Sequence, residues 1–144
     1  MNYSSFTRPV WTWLVDPSLD LGFLGMPVPI PRRDGVSMVD TMRDFDSTVP
    51  WAVTTQQWNM PGSHVTARLR TVVGTRERVE LAAGLLFTYP GTPAMFAGDE
   101  GGLTGTNGEH SRVAMPWHDK HHVRPVRVLI FFMLSAADIH PTVA

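Results

Sequence analysis

The chain has 144 residues, with 12 basic against 13 acidic side chains and only 17% charged residues, so it holds at most one domain. Its formal charge of −1 and its lack of clustered Lys and Arg argue against a nucleic-acid or anionic-membrane surface held by phosphate contacts. Twelve Gly and twelve Pro argue against a helix bundle, five Trp and seven Phe against a disordered chain, and the absence of Cys excludes disulfides, thiolate metal sites and cysteine nucleophiles.

Residues 1–8 carry no basic stretch followed by an apolar one, so no secretory signal is expected. Through residues 1–31 the prolines at 9, 17, 27, 29 and 31 prevent long regular elements; a short helix over about residues 7–15 is compatible with Pro9 in its first turn. From residue 36 to 58 the spacing of Met38, Met42, Phe45, Val49 and Val53 predicts helical pieces broken at Pro50, with residues 43–47 facing water. Trp58, Asn59 and Met60 read as a strand whose carboxyl end opens at Pro61-Gly62 into a loop with Ser63, His64 and the basic Arg68 and Arg70.

Thr75 caps a helix that starts at Arg76, with Glu77 in its first turn, a stripe of Val79, Ala82, Ala83 and Leu86, and a stop at Pro90. Residues 93–97 read as a short buried strand ending at Gly98-Asp99-Glu100. Strand, loop, helix and strand form a βαβ unit, with a right-handed crossover expected. Residues 101–117 are a Gly-rich loop without periodicity. From His118 the chain changes character: His121, His122, Lys120, Arg124 and Arg127 precede the apolar run 128–134, which is far short of the about 20 residues a spanning helix needs. A soluble, cytoplasmic chain is the expectation.

Polar residues at the carboxyl ends of parallel strands are the usual place for a site, and Ser63-His64 and Asp99-Glu100 qualify. The latter reads as a turn whose carboxylates bond backbone N–H groups and arginines such as Arg68 or Arg112. Adjacent in sequence, Asp99 and Glu100 make a poor acid and nucleophile pair. His64 is either a ligand contact or a satisfied structural histidine. His118, His121 and His122 lack further ligands and read as a solvated basic tail rather than a metal site. Ser63 and Ser111 lack the G-x-S-x-G elbow of a triad. Among the tryptophans, Trp117 is the one expected to be exposed enough to stack on a sugar.

The run FTYPGTPAMFAGDEGGLTGTNGEHSRVAMPW, residues 87–117, contains PGxPxxxxGDE and resembles the last strand and following loop of the alpha-amylase family, glycoside hydrolase family thirteen. WNMPGSHVTARLRTVVG, residues 58–74, resembles its seventh-strand motif, and MNYSSFTRPVWTWL the end of its sixth strand. The neopullulanase and alpha-glucosidase branch is the most similar. The resemblance implies an α/β fold, an incomplete (β/α)8 TIM barrel of about strands six to eight with their helices. Residues 1–117 would be the C-terminal fragment of the catalytic barrel and residues 118–144 a divergent tail.

It also implies an α-glucan or maltooligosaccharide partner, no cofactor, and open barrel edges available for self-association. The nucleophilic Asp and acid/base Glu of the family would lie before Met1, and Val65 stands where the family's transition-state-stabilising Asp follows the histidine. Ala67 replaces a usual Pro, and Gly108 replaces an Asp four residues before the loop arginine. No catalytic residue is therefore assigned here. His64 and Arg112 match the family's sugar-contacting histidine and arginine and are the expected substrate-binding residues. The implied function is a glycosidase fragment inactive as an isolated chain; the alternative is a non-catalytic module that binds α-glucans or completes a partner's barrel. A truncated gene with a frame shift near His118 would explain the abrupt tail.

Overall fold

The structure, a computed structural model, describes residues 1–19 and 30–118. A π-helical turn, Tyr3–Thr7, runs directly into α1, Arg8–Leu14, where Pro9 sits in the first turn and its fixed φ suits helix entry. Val10, Trp11 and Leu14 face inward, and the Trp11 indole N–H finds a partner in the Pro61 carbonyl at 2.7 Å. The following helix α2, Gly35–Asp46, is capped by Asp34, whose carboxylate accepts from the Ser37 N–H at 2.8 Å. Pro50 then separates it from α3, Trp51–Thr54, as its missing N–H requires.

The expected stripe along residues 38–53 is only half an inward face. Met38 and Met42 are buried, whereas Phe45 and Val53 are exposed. Residues 43, 44 and 47 face water as expected.

β1, Trp58–Asn59, pairs in parallel with β2, Thr92–Pro93, in the register Trp58 to Thr92, and the Ala94 N–H extends the ladder to the Asn59 carbonyl at 2.8 Å. Between them lie α4, Leu69–Val73, and α5, Arg76–Thr88, so the βαβ unit forms. Helix α5 has the expected bounds, cap and stripe: Val79, Ala82, Ala83 and Leu86 are all buried, and the Thr75 hydroxyl accepts from the Arg78 N–H.

Three expectations need correction. The second strand was expected over residues 93–97 and buried; it covers Thr92–Pro93, both exposed, because among the described residues only β1 lies beside it. The sixth strand expected at residues 1–3 does not form. Asn2 instead makes one strand-like bond, N–H to the Trp58 carbonyl at 2.8 Å, and its side chain caps the π-turn and meets Asn59. Helix α4 replaces what read as a basic loop, and it puts Leu69, Val72 and Val73 into the core.

That core joins Phe6, Val10, Trp11 and Leu14 to Leu69, Val72, Val73 and the α5 stripe. Burial of apolar area at roughly 25 cal/mol per Å² makes this layer the main source of cohesion. Among the described residues no helix is long and apolar enough to cross a membrane. The expectations for His121, His122 and the apolar run 128–134 lie outside the described residues.

Candidate functional site

Beyond β1 the chain stays dry for several residues: Met60, Pro61, Gly62 and Ser63 are buried, and only then do His64 and Val65 emerge into solvent. The Tyr3 hydroxyl donates to the Ser63 hydroxyl at 2.8 Å, and the Thr66 hydroxyl accepts from the Ser63 N–H at 2.9 Å, so a tight turn presents His64. The Ser111 hydroxyl donates to the Thr66 carbonyl at 2.9 Å. Neither serine stands as a free nucleophile.

Beyond β2 the chain turns at Gly98, whose φ of 101° excludes ordinary side chains, and a Cβ there would meet the Leu103 side chain at 2.6 Å. The Glu100 carboxylate accepts from the Gly98 N–H at 2.7 Å and closes the turn. Asp99 is 1% exposed and pairs with Arg68, itself 2% exposed, at 3.2 Å. Its other oxygen, Oδ2, has no hydrogen-bond partner among the described residues and lies against Gly62. Burial pushes the Asp99 carboxyl up to about 7, although the Arg68 guanidinium pulls the other way; desolvation of the charged form wins. The expected role of these carboxylates as turn and arginine partners is observed, with Arg68 rather than Arg112 as the partner.

Arg68 was read only as part of a basic loop and a candidate partner; it is the polar centre of this end of the molecule. Its Nε and Nη2 both donate to the Ser111 carbonyl, at 3.0 and 2.7 Å, and Nη1 donates to the Ala97 carbonyl at 2.6 Å. Its backbone N–H reaches the Gly105 carbonyl at 2.9 Å, and the Phe96 ring lies 4.1 Å from the guanidinium carbon. A charged residue with its partner 31 positions away leaves no local pattern to find.

The loop so held carries Arg112, which is exposed and whose Nε donates to the Gly108 carbonyl at 2.8 Å. Gly108 packs on the turn of His64: a Cβ there would lie 2.9 Å from the Val65 Cα and 3.1 Å from the His64 carbonyl oxygen. The two departures noted in the sequence, Val65 and Gly108, therefore touch, and both expected binding residues sit on segments in direct contact. Val65 is half exposed. Trp117 is exposed at 78%, as expected, but so are Trp51 and Trp58, which composition alone assigned to the core. His118 is exposed, and no group of three or more metal-binding side chains occurs among the described residues. A cleft of about 330 Å³ between α1 and α2, lined by Arg8, Thr12, Arg33 and Thr41, includes neither His64 nor Arg112.

No family model matches the chain. It is 31% identical over 107 residues to the maltogenic alpha-amylase of Bacillus acidopullulyticus, covering 74% of this chain and 18% of that one. To a cyclomaltodextrinase of a Bacillus species it is 41% identical over 66 residues, 45% of this chain and 12% of the other. It thus spans less than a fifth of the length of these relatives. Among solved structures it is similar to Ttha1563 from Thermus thermophilus, with a TM-score of 0.76 and 28% identity over 96% of this chain and 29% of that one. The cyclic alpha-maltosyl-(1→6)-maltose hydrolase of Arthrobacter globiformis, in complex with cyclic alpha-maltosyl-(1→6)-maltose, gives a TM-score of 0.72 and 27% identity over 96% of this chain and 28% of that one.

Proposed function

Because the homologues of this chain are α-glucan hydrolases of the alpha-amylase family, with (β/α)8 barrels among its structural neighbours, we propose that it is a segment of such an enzyme that binds α-glucan without hydrolysing it alone. In this reading residues 1–117 correspond to about strands six to eight of the barrel and residues 118–144 to a divergent tail. His64 and Arg112 contact maltooligosaccharide hydroxyls. The observation that carries the reading is the docking of the Gly108–Arg112 loop onto the His64 turn, which brings a neutral donor and acceptor and a guanidinium to one face.

Hydrolysis needs two carboxyl groups about 5 to 9.5 Å apart across the scissile bond. At this tip Asp99 is buried in an ion pair, Glu100 is committed to the Gly98 N–H, and Val65 offers neither charge nor an acceptor. The chemistry left is hydroxyl recognition and apolar contact with a sugar face.

Titration of the full chain with maltoheptaose, followed by NMR, tests both halves. Shifts at His64 and Arg112 with no glucose released are expected, and Val65→Asp should restore no turnover, since the catalytic groups act cooperatively. Glucose release that follows the protein peak would overturn the inactivity, and unmoved resonances at both residues would overturn the binding. The second reading, a module that completes a partner's barrel, is favoured by the exposed strand residues Thr92 and Pro93 and by Trp58 at 56% exposure. Sedimentation that shows self-association through these edges supports it.

A further inference from the structure

We propose that Arg68 is the positioning residue of the strand-tip site: it fixes the loop that carries Arg112 against the turn that carries His64, so that a maltooligosaccharide meets a preformed pair. The sugar-binding half of this rests on the function proposed above; the positioning half does not. Arg68 itself is 2% exposed and has no surface to offer a ligand, so it acts through its neighbours.

The argument is geometric. Arg68 grips the loop that follows β2 at both ends: the Ala97 carbonyl and the Asp99 carboxylate at its start, and the Ser111 carbonyl, one residue before Arg112, at its finish. Its backbone N–H holds Gly105 in the middle. Segments between these points make bonds that register only when the grip is in place, the Gly105 N–H to the Thr71 hydroxyl at 2.8 Å and the Ser111 hydroxyl to the Thr66 carbonyl at 2.9 Å. The planar fork is essential, because one lysine ammonium cannot hold the Ser111 and Ala97 carbonyls at opposite edges of a rigid plane. Asp99 neutralises the guanidinium in place, and the Phe96 ring covers one face of it. The loop has no helix or strand of its own to hold it.

Arg68→Lys in the full chain tests this, because it keeps a positive charge beside Asp99 and removes the fork. Amide hydrogen exchange at Gly105, Ser111 and Arg112 should accelerate by about tenfold or more while the α5 amides keep their protection. Maltoheptaose should bind about tenfold more weakly to the variant. Unchanged loop exchange, or loss of α5 protection by the same factor, would overturn the positioning role. Ser111→Ala leaves the fork intact and removes one later bond. It should change loop exchange by less than about threefold, and release of the loop as large as that in Arg68→Lys counts against the proposal. If Arg68→Lys does not fold, Ser111→Ala decides alone. If the unaltered chain binds no maltoheptaose, the sugar-binding reading fails, and the exchange experiment still decides the positioning.

Discussion

Leu86 in the helix layer and Arg68 at the strand tips are buried to nearly the same degree, at 0% and 2% exposure, yet their surroundings differ in kind. Around Leu86 the neighbours are aliphatic side chains from α1, α4 and α5, and cohesion comes from many small contacts that have no preferred direction. Around Arg68 it comes from a few directed bonds to carbonyls and one carboxylate. The first kind tolerates the loss of an atom in proportion to its area. The second fails as a unit, because a buried charge stripped of its partner keeps its full desolvation cost. The fold rests on the first region and the candidate site on the second.

The largest effect should follow Arg68→Met, which strips the buried Asp99 of its partner and should cost about 3 to 5 kcal/mol in chemical denaturation. The loss should depend on pH. The native pKa of Asp99, about 7, lies above its ordinary value. The stability tied to this group is therefore complete below about pH 4 and declines as pH rises through about 7. Arg68 opposes that decline, so Arg68→Met should be more damaging at pH 8 than at pH 5, and Asp99→Asn should flatten the profile between those values. An equal loss at both pH values would break the distinction between the regions.

Next comes Leu86→Ala, expected to cost about 3 kcal/mol with no dependence on pH between 5 and 8, since only transfer and cavity contributions are lost. A pH-dependent loss here would mean that the two regions unfold as one electrostatic unit.

The same contrast governs what could be read from the sequence. Helix α5 was legible to the residue, because a cap, an acidic first turn, a 3.6-residue stripe and a terminal proline all agree. The parallel pairing of its flanking strands was legible too, from the alternation of strand, helix and strand. Helix α4 was not: five residues are too few to show a period, and Arg68 and Arg70 on either side of Leu69 disguise an apolar turn as a basic loop. The burial of Phe45, Trp51 and Trp58 was overestimated because periodicity and composition do not show where a layer runs out of neighbours. At the tip, the roles of Asp99 and Glu100 in the turn followed from residue type, whereas the contact of Gly108 with Val65, 43 positions apart, required the fold.

That contact supplies a third, smaller test. Gly108→Ala places a methyl group 2.9 Å from the Val65 backbone, so loop or turn must shift. Overpacking of this kind costs about 1 to 3 kcal/mol. If the tip is a set of directed bonds, the variant should also speed exchange at Ser111 and Arg112 and leave α5 protected; loss confined to global stability would place Gly108 with the helix layer.

The smallest expected effect is at the boundary of the comparison, where α5 is apolar along its stripe and polar at its cap. The Thr75 hydroxyl accepts from the Arg78 N–H at 3.4 Å, a long bond, so Thr75→Ala should cost no more than about 1 kcal/mol. The cap has a second member. Glu77, in the first turn, is held below the ordinary carboxylate range, first by its own backbone N–H and then by the Thr75 side chain. A lowered native pKa means that this contribution is present above the ordinary glutamate value and disappears as pH falls through the native one. The loss in Thr75→Ala should therefore shrink below about pH 4, the opposite sense to the Asp99 profile. Thermal unfolding of the variant at pH 3 and pH 7 measures it: a difference from the unaltered chain as large at pH 3 as at pH 7 would mean that the hydroxyl acts on the Arg78 N–H alone, without Glu77.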